Sequence, residues 1–438
     1  MMNAALLLGW FCAIAAARAA PCRDRFLEPF SADSIWNTAI GSGAVFKPAN
    51  LYAKGDARGP PGNFHNDQDF LIRGKADDPL TDWVNQGSWG RVKDHCAIVH
   101  KGKQRPCGAH DLNPLNPLPP GQIDGCVAQI RLPRKWTSAT DCDGPATASG
   151  SNCRSAANQP NNNAMALLLA DNVSLVQMQP AYRCGFYPNP LLARWGNATD
   201  GGPQRFPNVS SILGDGTFGA HGGSGLSSIG GSVRLGELLP HSPPIAHALK
   251  IELANWWYYG GAQLNPATPA NGGRDQYVWP ATGSNQGFCH LCPGGTYNGT
   301  NEYVAPGALL AIPAHLAARV KTTTVIGGKI KQAMVDYGAY IVDGTGHGPG
   351  HGRGANSAAL CMDAAVNAEM RKQYGFNMAY PHGVASTAKY NAPPAENAVY
   401  EDLLRVFQAL HAVSNNGPSS VGGGGTPRRP RKGPICGA

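Results

Sequence analysis

Four polar side chains that could take part in acid–base chemistry lie in the glycine-rich stretch 214–238, GDGTFGAHGGSGLSSIGGSVRLGEL. They are Asp215, His221, Arg234 and Glu237. Glycine permits positive φ and a close approach of the backbone to a ligand or another strand, so such a segment often forms one wall of a pocket. We interpret all four as candidate catalytic residues. The alternative is a turn-rich connector, with Glu237 in water at a strand end.

Two further catalytic candidates are associated with predicted strands. His247 opens the alternating stretch HALKIEL, and histidine can act as an acid or a base near neutral pH. Asp343 ends AYIVD directly before Gly-Thr-Gly, where an acid can project into a cleft or cap the turn. A histidine on an apolar face is also a common hydrogen-bonded structural residue, so structural roles stay open for both.

Aromatic side chains near these groups could stack on sugar rings. We take Trp257, Tyr259 and Trp279 as candidate substrate-binding residues. Packing in a core is the alternative, although the four consecutive aromatic residues 256–259 cannot all face inward on a strand.

Together these groups predict a secreted carbohydrate-active enzyme that cleaves an extracellular polysaccharide. Carboxylates such as Asp215, Glu237 and Asp343 fit a glycoside hydrolase. A histidine with a tyrosine and Arg234 fits a polysaccharide lyase, which abstracts a proton next to a uronic carboxylate. The alternative is a non-catalytic glycan-binding or cell-wall/matrix protein. The sequence contains no G-x-S-x-G, P-loop, dinucleotide or H-E-x-x-H motif, which disfavours those enzyme classes.

The elements that position these residues are predicted to be mainly β. With 56 glycines, 36 prolines and 15% charged residues, the composition favours short strands joined by long turns. We predict an antiparallel β-sandwich or jelly-roll-like core with a few peripheral helices. AMALLLAD and SLVQMQ flank an Asp-Asn turn and predict a hairpin, and SVRLGELL and HALKIELANWWYY predict two more strands. Helical spacing or caps predict helices in GGKIKQAMVDYG, DAAVNAEMRKQYG and AVYEDLLRVFQALHAV.

The ends of the chain suggest export. Residues 4–17 form an apolar run followed by Ala-Arg-Ala, which predicts a signal peptide at 1–19 and a secreted, extracellular protein. This run of 14 residues is shorter than the roughly 20 that a membrane span needs, so no membrane contact is expected after signal removal. We predict one large β-rich domain over 20–414, loop-rich and disulfide-stapled to about residue 160, and a Gly/Pro/Arg-rich tail over 415–438. Four N-x-S/T acceptor sequences fit a glycoprotein.

The cysteines and the charge limit the possible ligands. Of the 12 cysteines, 11 remain after removal of the predicted signal peptide, and in an exported chain they predict disulfide bonds, with one cysteine left over. Cys289 and Cys292 have the spacing of half a zinc site, but no second pair matches it, so we expect neither a metal site nor a cofactor. The net charge of +8 is a mild excess without a basic, aromatic-interleaved stripe, so nucleic acid is not an expected partner. The expected partner is extracellular polysaccharide.

Several separated blocks resemble a large group of secreted bacterial and algal proteins. They are FSADSIWNTAI, GGSGLSSIGGSVRLGELL, IAHALKI, YVWPA, IKQAMVDYGAYIVD and LLRVFQALHAVSNNGPSSVGGGGTPR, which together extend from about Phe30 to Arg428. The resemblance implies export, a predominantly β architecture and a shared scaffold. It assigns no catalytic residue.

Overall fold

The structure of the protein is a computed structural model, which describes residues 22–54, 63–85, 126–138, 163–183, 185–193, 208–260, 277–284, 297, 299–345, 357–378 and 394–437. The predicted signal peptide at 1–19 and the pair Cys289 and Cys292 lie outside these residues. Within these ranges, no helix combines the length and the apolarity that crossing a membrane requires.

The described strands form two sheets. Their bounds are β1 Phe46–Pro48, β2 Asn63–Arg73, β3 Leu80–Asn85, β4 Cys126–Arg131, β5 Met165–Leu168, β6 Ser174–Met178, β7 Ala181–Arg183, β8 Leu191–Ala193, β9 Asn208–Ser211, β10 Leu249–Leu253, β11 Leu309–Ala311, β12 Ala339–Gly344, β13 Ser357–Asp363 and β14 His411–Val413. The larger sheet has ten strands in the order β1-β14-β11-β12-β10-β13-β2-β5-β6-β9. The smaller has four, in the order β4-β3-β8-β7.

The prediction of an antiparallel sandwich or jelly roll is wrong, because the large sheet is mixed. The pairs β10–β12, β13–β2 and β2–β5 are parallel, as is β3–β8 in the small sheet. Strands β10 and β13 are buried along their whole length, as expected where both faces of a sheet are covered. The alternation of apolar and polar residues in β10 reflects one apolar face and one buried polar face.

Five helices lie among the described residues: α1 Asn255–Tyr258, α2 Ala314–Ala317, α3 Val325–Asp336, α4 Ala364–Tyr374 and α5 Pro394–Gln408. The helices predicted in GGKIKQAMVDYG and DAAVNAEMRKQYG are confirmed as α3 and α4. The helix predicted in AVYEDLLRVFQALHAV is confirmed as far as Gln408, but its last residues, His411–Val413, form β14. Gly375 adopts φ +80° at the end of α4, as a helix C-cap glycine does. The predicted hairpin is also confirmed, because β5 and β6 pair antiparallel.

Two predicted strands differ from the structure. SVRLGELL makes only an isolated bridge, between Val233 and Met362, and then turns. The turn arises because Gly236 has φ +86° and the Glu237 carboxylate accepts a hydrogen bond from the backbone N–H of Arg234. HALKIELANWWYY forms β10 only as far as Leu253, and its aromatic end is the short helix α1.

The large sheet separates two hydrophobic cores. On one face, Leu249, Ile251 and Leu253 of β10 pack in a core that also contains apolar residues of α3, α4 and α5. On the other face, the core contains Trp36 of the N-terminal segment and Leu226 and Ile229 of the glycine-rich stretch. A third core joins β2, β5 and β6 to the four-stranded sheet.

The two ends of the described chain are held together. Cys22 and Cys436 form a disulfide bond, and the Arg23 guanidinium donates to the carbonyl oxygens of Gly433 and Phe30. The described free cysteine is Cys361, which is buried.

Candidate active site

A buried polar cluster lies on the face of the large sheet opposite the helices. Period two along β10 points Leu249 and Ile251 to the helix-side core and Lys250 and Glu252 to the other face. We define the buried polar cluster as the side chains that meet there: Asp67 and Asp69 of β2, Lys250 and Glu252 of β10, Asp343 of β12, Cys361 of β13, and His221 of the glycine-rich stretch.

Strand register brings the side chains of this cluster together. The parallel pairing of β10 with β12 places Glu252 beside Asp343, next to a register shift after Ile251. The parallel pairing of β13 with β2 places Cys361 beside Asp67. Because β10 and β13 are neighbours, residues far apart in the sequence meet on four consecutive strands.

The glycines allow the stretch 214–238 to lie directly on this cluster. Gly222 has φ +54°, and a Cβ there would lie 2.4 Å from the side chain of Asp343. Gly231 has φ +75°, and its Cβ would meet Trp36 and lie 2.7 Å from Cγ of Lys250. Only glycine fits such a backbone at this distance, and the cluster is thereby covered.

Opposite charges surround Asp69 at the base of the cluster. Lys250 Nζ lies 3.0 Å from Asp69 Oδ2, and the Ser232 hydroxyl donates to the same oxygen at 2.6 Å. His221 Nε2 lies 3.1 Å from Asp69 Oδ1 and 3.4 Å from Asp67 Oδ2. Burial opposes ionisation of Asp69, but the charges of Lys250 and His221 outweigh it and lower the pKa of this carboxyl.

Two carboxyl groups of the cluster, those of Glu252 and Asp343, have raised pKa values. Burial, together with the charges of Asp67 and Asp343, raises the pKa of Glu252 well above its ordinary value. Burial raises the pKa of Asp343 to about 6, although the charge of His221 opposes this rise. A protonated carboxyl next to an ionised one is the arrangement that acid–base catalysis uses.

Four of these residues could also hold a metal ion. Asp67, His221, Glu252 and Cys361 each place one ligand atom so that all four atoms lie within 4.8 Å of one another. Carboxylate oxygen, imidazole nitrogen and thiolate sulfur together form a donor set that suits Zn²⁺. The expectation that the chain lacks a metal site therefore deserves a direct test.

A second polar group contains three of the predicted catalytic residues. His247 Nε2 lies 3.1 Å from Glu237 Oε1, and His247 Nδ1 lies 2.8 Å from the Ala248 carbonyl oxygen. Burial opposes ionisation of Glu237, but His247 and Arg234 outweigh it and lower the pKa of Glu237. The Arg234 guanidinium donates to the carbonyl oxygens of Ser232 and Ile229. These hydrogen bonds show that all three side chains help to fix the backbone between Ile229 and Ala248.

The remaining predicted residues lie at different depths. Asp215 is exposed, and its carboxylate accepts hydrogen bonds from the backbone and hydroxyl of Thr217. Tyr259 is fully buried, and its hydroxyl donates to the carbonyl oxygen of Asp343. Trp257 is half-buried. Trp279 is also half-buried and lines a cavity of about 330 Å³ between β11 and β14, apart from the cluster residues.

Of the predicted catalytic residues, the structure thus brings His221 and Asp343 together. Asp67, Asp69 and Glu252 belong to the same cluster but were not predicted. A signal for the two aspartates exists in NFHNDQDF, where His65, Asp67 and Asp69 repeat at period two. Polar residues at this period indicate one polar face of a strand. The segment lies in the part of the domain that the sequence predicts to be loop-rich, so this signal does not stand out there. The alternation of HALKIEL places Glu252 on the face opposite Leu249, which is the local signal for its position in the cluster.

Comparisons of this chain with protein-family models, with curated proteins and with solved structures found no match. The functional interpretation therefore depends on the geometry of the site.

Proposed function

We propose that this chain is a secreted carbohydrate-active enzyme that hydrolyses glycosidic bonds at the buried polar cluster. One observation carries the proposal: carboxyl oxygens of Asp67 and Glu252 lie within 4.8 Å of each other, on neighbouring parts of one sheet face. The side chain of Asp67 is 22% exposed, whereas Glu252 is buried. Substrate would therefore approach from the side of Asp67.

The two carboxyl groups have complementary roles in this proposal. Glu252, whose pKa is raised by burial and by neighbouring acids, donates its proton to the glycosidic oxygen as the bond to the leaving sugar breaks. Asp67 attacks the anomeric carbon and forms a glycosyl-enzyme intermediate. Glu252, now a carboxylate, takes a proton from the water that releases the sugar and restores Asp67. The carboxyl oxygens lie within 4.8 Å and the two groups share a hydrogen bond, so substrate must part them to reach the spacing of about 5 Å that is typical of hydrolases that retain the anomeric configuration.

The disulfide bond supports an exported protein, whereas helix α1 reaches the cluster through Asn255. Helix α1 follows β10 directly, and Asn255 in α1 lies where a Cβ on Gly344 would contact it, beside Asp343. The half-buried Trp257 of α1 packs against the helix-side core, so its contact with a sugar at the cluster is not part of this proposal. The disulfide between Cys22 and Cys436 is in keeping with an oxidising compartment.

The proposal is tested by incubating the purified chain with neutral and uronate polysaccharides and measuring new reducing ends. We expect Glu252→Gln and Asp67→Asn each to lower the rate by about 10²- to 10⁴-fold, because each removes one reacting group. Asp215→Asn is the matched control and should leave the rate unchanged, since Asp215 is an exposed turn residue. Wild-type rates in both cluster variants would refute the assignment, and product of inverted configuration would refute the role of Asp67.

Glycan binding without catalysis is a second candidate, favoured by the cavity at Trp279. Tyr303 and the exposed Glu302 line this cavity together with Trp279, so it combines aromatic rings with a polar group. Retention of a polysaccharide without any product, weakened by Trp279→Ala and unaffected by Glu252→Gln, would favour this function over hydrolysis.

A further inference from the structure

We propose that the buried polar cluster binds one Zn²⁺ ion through Asp67, His221, Glu252 and Cys361. The four ligand atoms come from β2, the glycine-rich stretch, β10 and β13, and they lie within 4.8 Å of one another. In a tetrahedral zinc site with bonds of about 2.0–2.3 Å, ligand atoms are about 3.3–3.8 Å apart. Small rotamer changes would therefore close the four groups around the ion.

The state of His221 is an independent indication of a ligand. This side chain is fully buried, yet neither ring nitrogen has an aligned hydrogen-bond partner among the described residues. Nε2 comes within ion-pair distance of Asp67 and Asp69, and these contacts leave Nδ1 without a partner among the described residues. Buried polar atoms are normally satisfied, and metal coordination would satisfy one of these nitrogens.

The charges of the cluster also favour a bound cation. Four carboxyl groups, those of Asp67, Asp69, Glu252 and Asp343, face Lys250 and His221 within a buried volume. Lys250 is committed to Asp69 and to the carbonyl oxygens of Ser227 and Ser228. A divalent cation would neutralise negative charge on the remaining acids, two of which, Glu252 and Asp343, are buried.

Cys361 makes the donor set specific. Its thiol is buried and free of a disulfide, and it lies beside Asp67 in the strand register. A thiolate ligand favours Zn²⁺ over Mg²⁺ and Ca²⁺, which prefer oxygen ligands. On binding, the protons of Cys361 and Glu252 and one proton of the charged His221 would pass to the solvent, because zinc ligands must be deprotonated.

Zinc would compete with the proposed hydrolysis, a consequence that rests on the function proposed above. Asp67 and Glu252 cannot coordinate the ion and act on a glycosidic bond at the same time. We therefore expect Zn²⁺ to inhibit hydrolysis and a chelator to restore it. If chelation instead abolished hydrolysis, the proposed metal site would be supported. The mechanism in which Asp67 and Glu252 act without a metal would be refuted.

The binding experiment does not require activity. The full chain is stripped with a chelator and titrated with Zn²⁺ in a zinc-buffered solution, and bound metal is measured by elemental analysis. Co²⁺ then replaces Zn²⁺, and absorption is recorded. We expect the cluster to bind one metal ion per chain. The Co²⁺ form should show the visible bands of tetrahedral Co²⁺ and a thiolate-to-cobalt charge-transfer band in the near ultraviolet.

Two variants separate this site from other cysteines and histidines. Cys361→Ser should abolish the charge-transfer band, and His221→Gln should weaken zinc binding by more than about 100-fold, since loss of a direct ligand costs more than loss of an outer partner. Asp215→Asn should bind as the wild type does. Circular dichroism checks that each variant is folded. Equal zinc binding by the wild type and by folded Cys361→Ser and His221→Gln variants would overturn the proposal.

Discussion

Gly222 marks the point where the glycine-rich stretch approaches the sheet most closely. Its φ is +54°, and an added Cβ would lie 2.4 Å from Asp343. We expect Gly222→Ala to lower the free energy of unfolding by about 3 kcal/mol, because backbone strain and a clash with a buried side chain act together. Urea unfolding followed by tryptophan fluorescence measures this loss.

Gly375 provides the matched control for that substitution. It has φ +80° at the end of α4, and nothing lies within 4 Å of a Cβ built on it. Gly375→Ala should therefore cost only the left-handed backbone penalty of about 1–2 kcal/mol. If both substitutions lowered the free energy of unfolding equally, the close contact between residue 222 and Asp343 would be able to relax without loss of stability.

The buried polar cluster could be predicted only in part, and its residues show why. His221 and Asp343 were identified because glycines flank them, which is a local signal. Asp67 and Glu252 meet through strand pairing across β13, between segments distant in the sequence. A sequence shows which residues share a strand face but not which strands are neighbours, so the composition of the site follows only from the topology.

At the scale of elements, Asp402 links two helices of the helix-side core. Its carboxylate, in α5, accepts hydrogen bonds from the backbone N–H groups of Thr323 and Thr324 at the start of α3. It also accepts one from the Thr324 hydroxyl and one from Arg405. Asp402 therefore fixes the N-cap residue Thr324, whose hydroxyl oxygen in turn accepts a hydrogen bond from the Gly327 N–H in the first turn of α3.

We expect the stabilisation by Asp402 to depend on pH. Burial opposes ionisation of this carboxyl, but the hydrogen bonds from Thr324, Arg405 and Thr323 outweigh it and lower its pKa below the ordinary value of 3.8. The contribution is thus complete above that value and is lost as the pH falls through the lower, folded-state pKa. Asp402→Asn should cost about 2 kcal/mol at neutral pH and progressively less below about pH 4.

The measurement compares urea unfolding of wild type and Asp402→Asn from neutral to acidic pH. Asp33→Asn serves as the control, because Asp33 forms an exposed ion pair with Arg431 and should contribute less than about 1 kcal/mol. A difference between wild type and Asp402→Asn that stays constant down to the lowest pH would contradict the assigned role.

The helices were predictable, and the sheet was not, for a physical reason. Helix α4 is defined by its own caps, Asp363 and Gly375, and the β5–β6 hairpin by a short turn, so both depend on interactions between residues close in sequence. The parallel pairing of β2 with β13 joins Asn63 to Ser357. No local sequence pattern predicts which distant strand will pair with β2. Because both faces of the sheet are buried, the strands also do not distinguish a solvent-facing side by polar residues.

At the scale of the whole molecule, the two ends of the described chain form one local structure. The backbone N–H of Arg23 donates to the Pro434 carbonyl at 2.9 Å, and that of Cys436 donates back to Arg23 at 2.9 Å. The Arg25 guanidinium adds bonds to the carbonyl oxygens of Cys436 and Gly437. The disulfide between Cys22 and Cys436 therefore joins segments that non-covalent contacts already hold together in the folded state.

The disulfide should consequently stabilise the protein mainly by restricting the unfolded chain. It links residues 414 positions apart, and closing so long a loop removes much conformational entropy from the unfolded state. We expect the Cys22→Ser, Cys436→Ser double variant to keep the near-ultraviolet circular dichroism of the wild type and to lose about 2–5 kcal/mol of unfolding free energy. Arg23→Ala is the complementary variant, because it removes folded-state hydrogen bonds and leaves the cross-link. If the double variant lost its native spectrum, the bond would be holding the folded termini in place, and the contacts around Arg23 would be insufficient on their own.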